Sequence, residues 1–100
     1  MLGSNLVQQA PGCYAIQGDL SFATVNDLLE RSRTLFVGEA ELEIDLSGVS
    51  HADSAGLALL IEWLKNAKSQ HQKIKYLSMP LQLSALAEIS EIKDLFGRGA

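Results

Sequence analysis

Residues 45–64 read Asp45-Leu-Ser-Gly-Val-Ser-His-Ala-Asp-Ser-Ala-Gly-Leu-Ala-Leu-Leu-Ile-Glu-Trp-Leu64. The run divides into a strand end, a loop and a helix. The strand is Glu41 to Leu46, where polar and apolar residues alternate one by one. That period puts Leu42, Ile44 and Leu46 inward and Glu41, Glu43 and Asp45 outward. A strand covered on both faces is apolar throughout, so clean alternation leaves one sheet face wet. Helices are therefore expected mainly on the other face. The helix starts at Asp53-Ser54 and runs to about Gln70. Its first turn has unpaired N–H groups and a dipole that favour an oxygen or a negative charge, which Asp53 or Ser54 supplies as a cap.

The flanking chain follows the same logic. Residues 6–10 and 13–17 read as two short strands joined at Pro11-Gly12, a hairpin signal. Gly18-Asp19-Leu20-Ser21 leads into a first helix with Ser21 as its N-cap. Val25, Leu28, Leu29, Leu35 and Phe36 recur with helical spacing, and Gly38 is the stop. After the central helix, Lys73 to Ser78 reads as a strand, and Pro80 opens a third helix with Leu86, Ile89 and Ile92 as its periodic residues. The order is ββαβαβα. Strands alternating with helices imply parallel pairs with right-handed crossovers, beside one antiparallel hairpin. The expected fold is α/β: a mixed sheet of about four strands with helices mainly on one face, in one domain over residues 1–100.

On the central helix, at ~100° per residue, Leu57, Leu60, Ile61, Leu64 and Ala67 form the core stripe. Glu62, Lys65, Asn66 and Ser69 lie largely opposite. Leu59 falls among the polar residues and Trp63 at the edge of the stripe. Each has two readings here: an ordinary exposed apolar residue, or an interface anchor, a role in which Trp is enriched; for Trp63 a place in the core also stays open.

The remaining chemistry is mostly exclusion. Eight Lys and Arg against twelve Asp and Glu give a net charge of −4, which argues against nucleic acid or anionic lipid as main partner. Lys65, Lys68, Lys73 and Lys75 are dispersed and form no aromatic-laced basic patch. Cys13 is the only cysteine, so no internal disulfide is available and a small buried hydrophobe is expected. His51, His71 and Cys13 lack metal-ligand spacing, Glu39, Glu41, Glu43 and Asp45 read as a solvated strand face, and no glycine-rich phosphate loop is present. Ser54 is not in a Gly-x-Ser-x-Gly elbow and no argument orients His51 as a base. No catalytic residue, cofactor, metal or small-molecule substrate is expected. The N-terminus lacks a charged and then apolar signal pattern, and the longest apolar stretch, near residues 56–64, falls far short of the ~20 residues that cross a bilayer. A soluble cytoplasmic protein is the expectation.

Asp45-Leu-Ser-Gly-Val-Ser-His-Ala-Asp-Ser-Ala-Gly-Leu-Ala-Leu-Leu resembles the signature of STAS domains, the fold of anti-sigma factor antagonists and of sulfate transporter tails. Gly18-Asp19-Leu20 is similar to the family's Gly-Glu-Leu before its first helix. Asp53-Ser-Ala-Gly-Leu-Ala-Leu-Leu-Ile-Glu-Trp-Leu, and Leu86-Ala-Glu-Ile-Ser with an early chain end, resemble the MlaB-type branch. Members of that branch are small subunits of the inner-membrane ABC transporter that moves phospholipid and maintains outer-membrane lipid asymmetry. The resemblance implies a non-catalytic subunit that binds the cytoplasmic ATPase subunit and sits peripherally at the inner membrane through it, without inserting. It implies a contact surface of Ser50, His51, Asp53, Ser54 and Gly56, with area from Leu59 and Trp63. Gly56 and the small hydroxyl are expected to let the partner approach closely. In the antagonists the position of Ser54 is the serine phosphorylated by a partner kinase, so the alternative is an antagonist gated by phosphorylation of Ser54. Ala55 departs from the second hydroxyl residue often found there.

Overall fold

The computed structural model describes residues 5–89, with side chains over residues 6–85. The elements follow the order ββαβαβα: β1 (Asn5–Ala10), β2 (Cys13–Leu20), α1 (Val25–Leu35), β3 (Glu41–Ala52), α2 (Ser54–Ser69), β4 (Lys73–Leu77) and α3 (Leu81–Ile89). The four strands form one sheet in the order β1-β2-β3-β4. β1 pairs antiparallel with β2, while β2–β3 and β3–β4 are parallel. This is the mixed sheet that the sequence implies.

The hairpin turns at Pro11-Gly12, where Gly12 has φ +77°. A Cβ there would stand 2.6 Å from the Glu41 carbonyl oxygen, so the turn needs a residue without one. The core lies on a single face. Leu6, Tyr14, Ile16, Leu42, Ile44, Leu46 and Tyr76 are buried from the sheet, and Leu28, Leu57, Leu60 and Leu83 from the helices. Glu41, Glu43 and Asp45 point the other way, between half-buried and exposed, as the alternation predicts.

Buried aromatics pin the helices to the sheet through their polar ends. The Tyr14 hydroxyl donates to the Leu35 carbonyl at 2.7 Å, and the Tyr76 hydroxyl to the Leu60 carbonyl at 2.7 Å. Trp63 Nε1 donates to Ser32 Oγ at 2.9 Å, joining α2 to α1. Phe36 sits between Tyr14 and Trp63, with ring centroids 5.1 Å and 5.2 Å away. Burial raises the phenol pKa of both tyrosines, so each holds its proton for the bond it donates.

Two boundaries and one burial pattern differ from the sequence reading. First, β3 continues to Ala52 instead of ending near Leu46. Two irregularities put extra β3 residues opposite β2, between Asp45 and Gly48 and between Val49 and His51. Each breaks the period-2 pattern that marks a strand. At the first, the Ser47 N–H donates to Asp45 Oδ1 at 2.9 Å. Ser50, His51 and Ala52 are therefore strand and not loop. Second, Ser21 is not the N-cap of α1. Thr24 holds that position, and Ser21 opens a tight turn whose carbonyl accepts from the N–H groups of Thr24 and Val25 at 2.9 and 3.0 Å. Third, Leu59 and Trp63 are core residues, 5% and 2% exposed. α3 packs along α2, so the apolar stripe of α2 is wider than one facing a sheet alone. Leu83 of α3 is fully buried. The side chains of Leu86 and Ile89, and all of Ile92, lie outside the described residues.

Candidate functional site

Parallel strands end at the same side of a sheet, so the chain leaving β2 and the chain leaving β3 meet there. β2 ends at Leu20, paired with Ala52 of β3. The next residue of β3's path, Asp53, is the N-cap of α2, with extended backbone (φ −139°). Its backbone N–H donates to the Leu20 carbonyl at 3.4 Å, and its own carbonyl accepts from the Leu57 N–H at 3.1 Å.

The Asp53 carboxylate does two jobs. Oδ1 accepts from the N–H groups of Ala55 at 2.9 Å and Gly56 at 3.2 Å, which caps the helix. Oδ2 accepts from the N–H of Phe22 at 3.2 Å, which fastens the β2–α1 turn to the head of α2. Partial desolvation pulls the carboxyl pKa up. The N–H groups of Phe22, Gly56 and Ala55, with His51 nearby, outweigh it and hold the carboxyl below the usual carboxylate range.

With Asp53 as the cap, Ser54 is free of that duty. It is the first residue of α2, and it is exposed. Ser50 and His51 are also exposed, near the end of β3. The structure thus brings Ser54, Asp53 and His51 to one end of the sheet. Gly56 has a different role from the expected one. It is buried, and a Cβ there would run into the Leu20 carbonyl oxygen, with Leu20 Cγ 2.8 Å away. Its smallness seats α2 on β2 and does not make room for a partner. Leu59 and Trp63, expected to add area, are covered within the fold and contribute none.

One residue at this end escaped the sequence reading. Phe22 is 82% exposed. Read as part of a helix beginning at Ser21, it would belong to a first turn; in the structure it stands on the Ser21–Thr24 turn before α1 begins. The available signal was a large apolar residue off the stripe of Val25, Leu28 and Leu29, next to the Gly18-Asp19-Leu20 motif.

As chemistry, the end offers a hydroxyl, a carboxylate already engaged by three N–H groups and an imidazole on an open surface. Among the described residues no group of three His, Cys, Asp or Glu side chains could hold a metal ion, and no helix is long and apolar enough to cross a membrane. The arrangement suits recognition by shape and charge.

A family model described as "Mlab, STAS domain" matches residues 7–97. The fold is similar to that of a sulfate transporter family protein from Wolinella succinogenes, with a TM-score of 0.70 and 14% identity over 93% of this chain and 76% of that one. It is also similar to the anti-sigma factor antagonist SpoIIAA in its unphosphorylated form, with a TM-score of 0.65 and 16% identity over 86% of this chain and 82% of that one. A third similarity is to SLC26A9, with a TM-score of 0.59 and 18% identity over 87% of this chain and 17% of that one.

Proposed function

This chain belongs to the STAS domain family, and on that premise we propose that it works by binding: it is an accessory subunit that docks on the cytoplasmic ATPase of an inner-membrane phospholipid ABC transporter and supports it in maintaining outer-membrane lipid asymmetry. The observation that carries the reading is the match of residues 7–97 to the family model described as MlaB. The geometry is consistent with it. Ser54 is exposed at the head of α2, on an end made rigid by Asp53. A rigid patch loses little freedom on association, which favours binding. The protein acts without catalysis, cofactor or metal, and reaches the membrane only through its partner.

A second reading is favoured by the likeness to the antagonist in its unphosphorylated form. Here Ser54 is a phosphorylation site, and a phosphate of about −2 charge would repel or remodel the partner contact. Co-purification separates the two. Tagged full-length chain recovered with an ABC ATPase supports the transporter role; recovery with a sigma-regulatory kinase, and phosphate on Ser54 by mass spectrometry, supports the switch.

Ser54→Glu tests the surface itself. The residue is exposed, and a carboxylate at a helix N-terminus is electrostatically favourable, so the melting temperature should hold. Binding to the ATPase subunit should weaken at least tenfold. Unchanged binding would take Ser54 out of the interface.

A further inference from the structure

We propose that Phe22 is the hydrophobic anchor of the docking surface, seated in an apolar socket of the ATPase partner, and that Asp53 is the positioning residue that presents it. The inference rests on the transporter reading above and adds the residue that supplies its apolar contact.

Three observations carry it. Phe22 is 82% exposed, a whole phenyl ring offered to solvent. A single exposed apolar residue is ordinary on a protein surface, so exposure alone decides nothing. The second observation is rigidity. Thr24 Oγ1 accepts from the Ser21 N–H at 3.1 Å and donates to the Asp19 carbonyl at 2.9 Å, while the Ser21 carbonyl holds the N–H groups of Thr24 and Val25. The ring therefore stands on a turn fixed on both sides. The third is placement. Asp53 Oδ2 accepts from the Phe22 N–H at 3.2 Å, and Asp53 is the residue before Ser54. One carboxylate fixes both the ring's backbone and the first turn that carries the hydroxyl. Val7, Val37 and Leu81 are also exposed. Leu81 opens α3 after the parallel strand β4, at this same end of the sheet, but it is Phe22 that Asp53 holds by a hydrogen bond.

Aromatic side chains on preorganised backbone are the residues that dominate interface energy, because they bury much area while losing little freedom. The partner surface that fits is an apolar socket sized for one ring, beside a flat area that accepts the small hydroxyl of Ser54. Leu59 and Trp63, being buried, leave Phe22 as the exposed aromatic that Asp53 fixes at this end.

The test titrates the full chain into the purified ATPase subunit of the phospholipid transporter from the same organism, by calorimetry, with melting curves in parallel. Phe22→Ala should bind at least tenfold more weakly, Phe22→Leu should fall between it and the parent, and both should melt with the parent. Asp53→Asn keeps one carbonyl oxygen for Ala55 and Gly56 but offers Phe22 an amide that cannot accept its N–H. It should weaken binding in the parent and add nothing in the Phe22→Ala background, the coupling expected if Asp53 acts through Phe22. Equal added losses in both backgrounds overturn the positioning role. Parent-like binding by Phe22→Ala, with Ser54→Glu impaired, overturns the anchor and leaves the transporter reading standing. No binding by the parent chain overturns that reading, and the anchor with it.

Discussion

Trp63 and Phe22 are large aromatic residues at two ends of one α/β layer, and their surroundings are opposite. Trp63 is 2% exposed, its Nε1 donates to Ser32 Oγ, and its edge meets Phe36. Phe22 is 82% exposed, and only its backbone is held. The Trp63 end spends its aromatic surface on the fold. The Phe22 end leaves it unspent on a turn that is just as well fixed. The difference teaches that side-chain type does not decide burial; one aromatic is covered by the fold, and the other is left uncovered on backbone that the fold holds still.

The comparison breaks most sharply by truncation. Trp63→Ala removes a buried ring and leaves Ser32 Oγ without its donor, and should cost about 3–5 kcal/mol of stability in urea unfolding. Phe22→Ala has nothing to empty and should stay within ~0.5 kcal/mol of the parent. Similar losses for the two would erase the distinction between the ends.

Gly56→Ala sharpens the point from the other side. The added methyl meets the Leu20 carbonyl and side chain, and a backbone atom cannot swing away. The expected loss is about 1–3 kcal/mol, as for overpacking in a core. A parent-like melting temperature would mean that α2 does not need to lie this close to β2.

How much of this was legible follows from the same contrast. The order ββαβαβα, the hairpin at Pro11-Gly12 and the α2 start at Asp53-Ser54 each have a local signal, a period or a turn residue, and each stands in the structure. The last half of β3 does not, because two irregularities in its pairing with β2 undo the alternation between Asp45 and His51. The burial of Leu59 and Trp63 was illegible for a different reason. A helical wheel assumes one covered face, while α2 meets the sheet, α1 and α3. Of the site, Asp53 and Ser54 were legible as a helix start; the tie of Asp53 to the Phe22 N–H, a bond between residues 31 apart in sequence, was not.

Asp53 carries a smaller effect than Trp63 or Gly56, and the most specific signature. Asp53→Ala removes the cap from Ala55 and Gly56 and the tie to Phe22, and should cost about 0.5–2 kcal/mol at neutral pH. The acid dependence identifies the cause. The folded state holds this carboxyl below its unfolded value, so the folded protein binds its proton less readily than the unfolded chain does. The stabilisation is complete above the usual carboxylate pKa of about 3.9 and is lost as pH falls through the folded value. Unfolding free energies measured from pH 7 downward should therefore converge for the parent and Asp53→Ala in acid. A gap of constant size down to the lowest pH at which both still fold would show that the side chain's packing, and not its charge, joins the Phe22 turn to the head of α2.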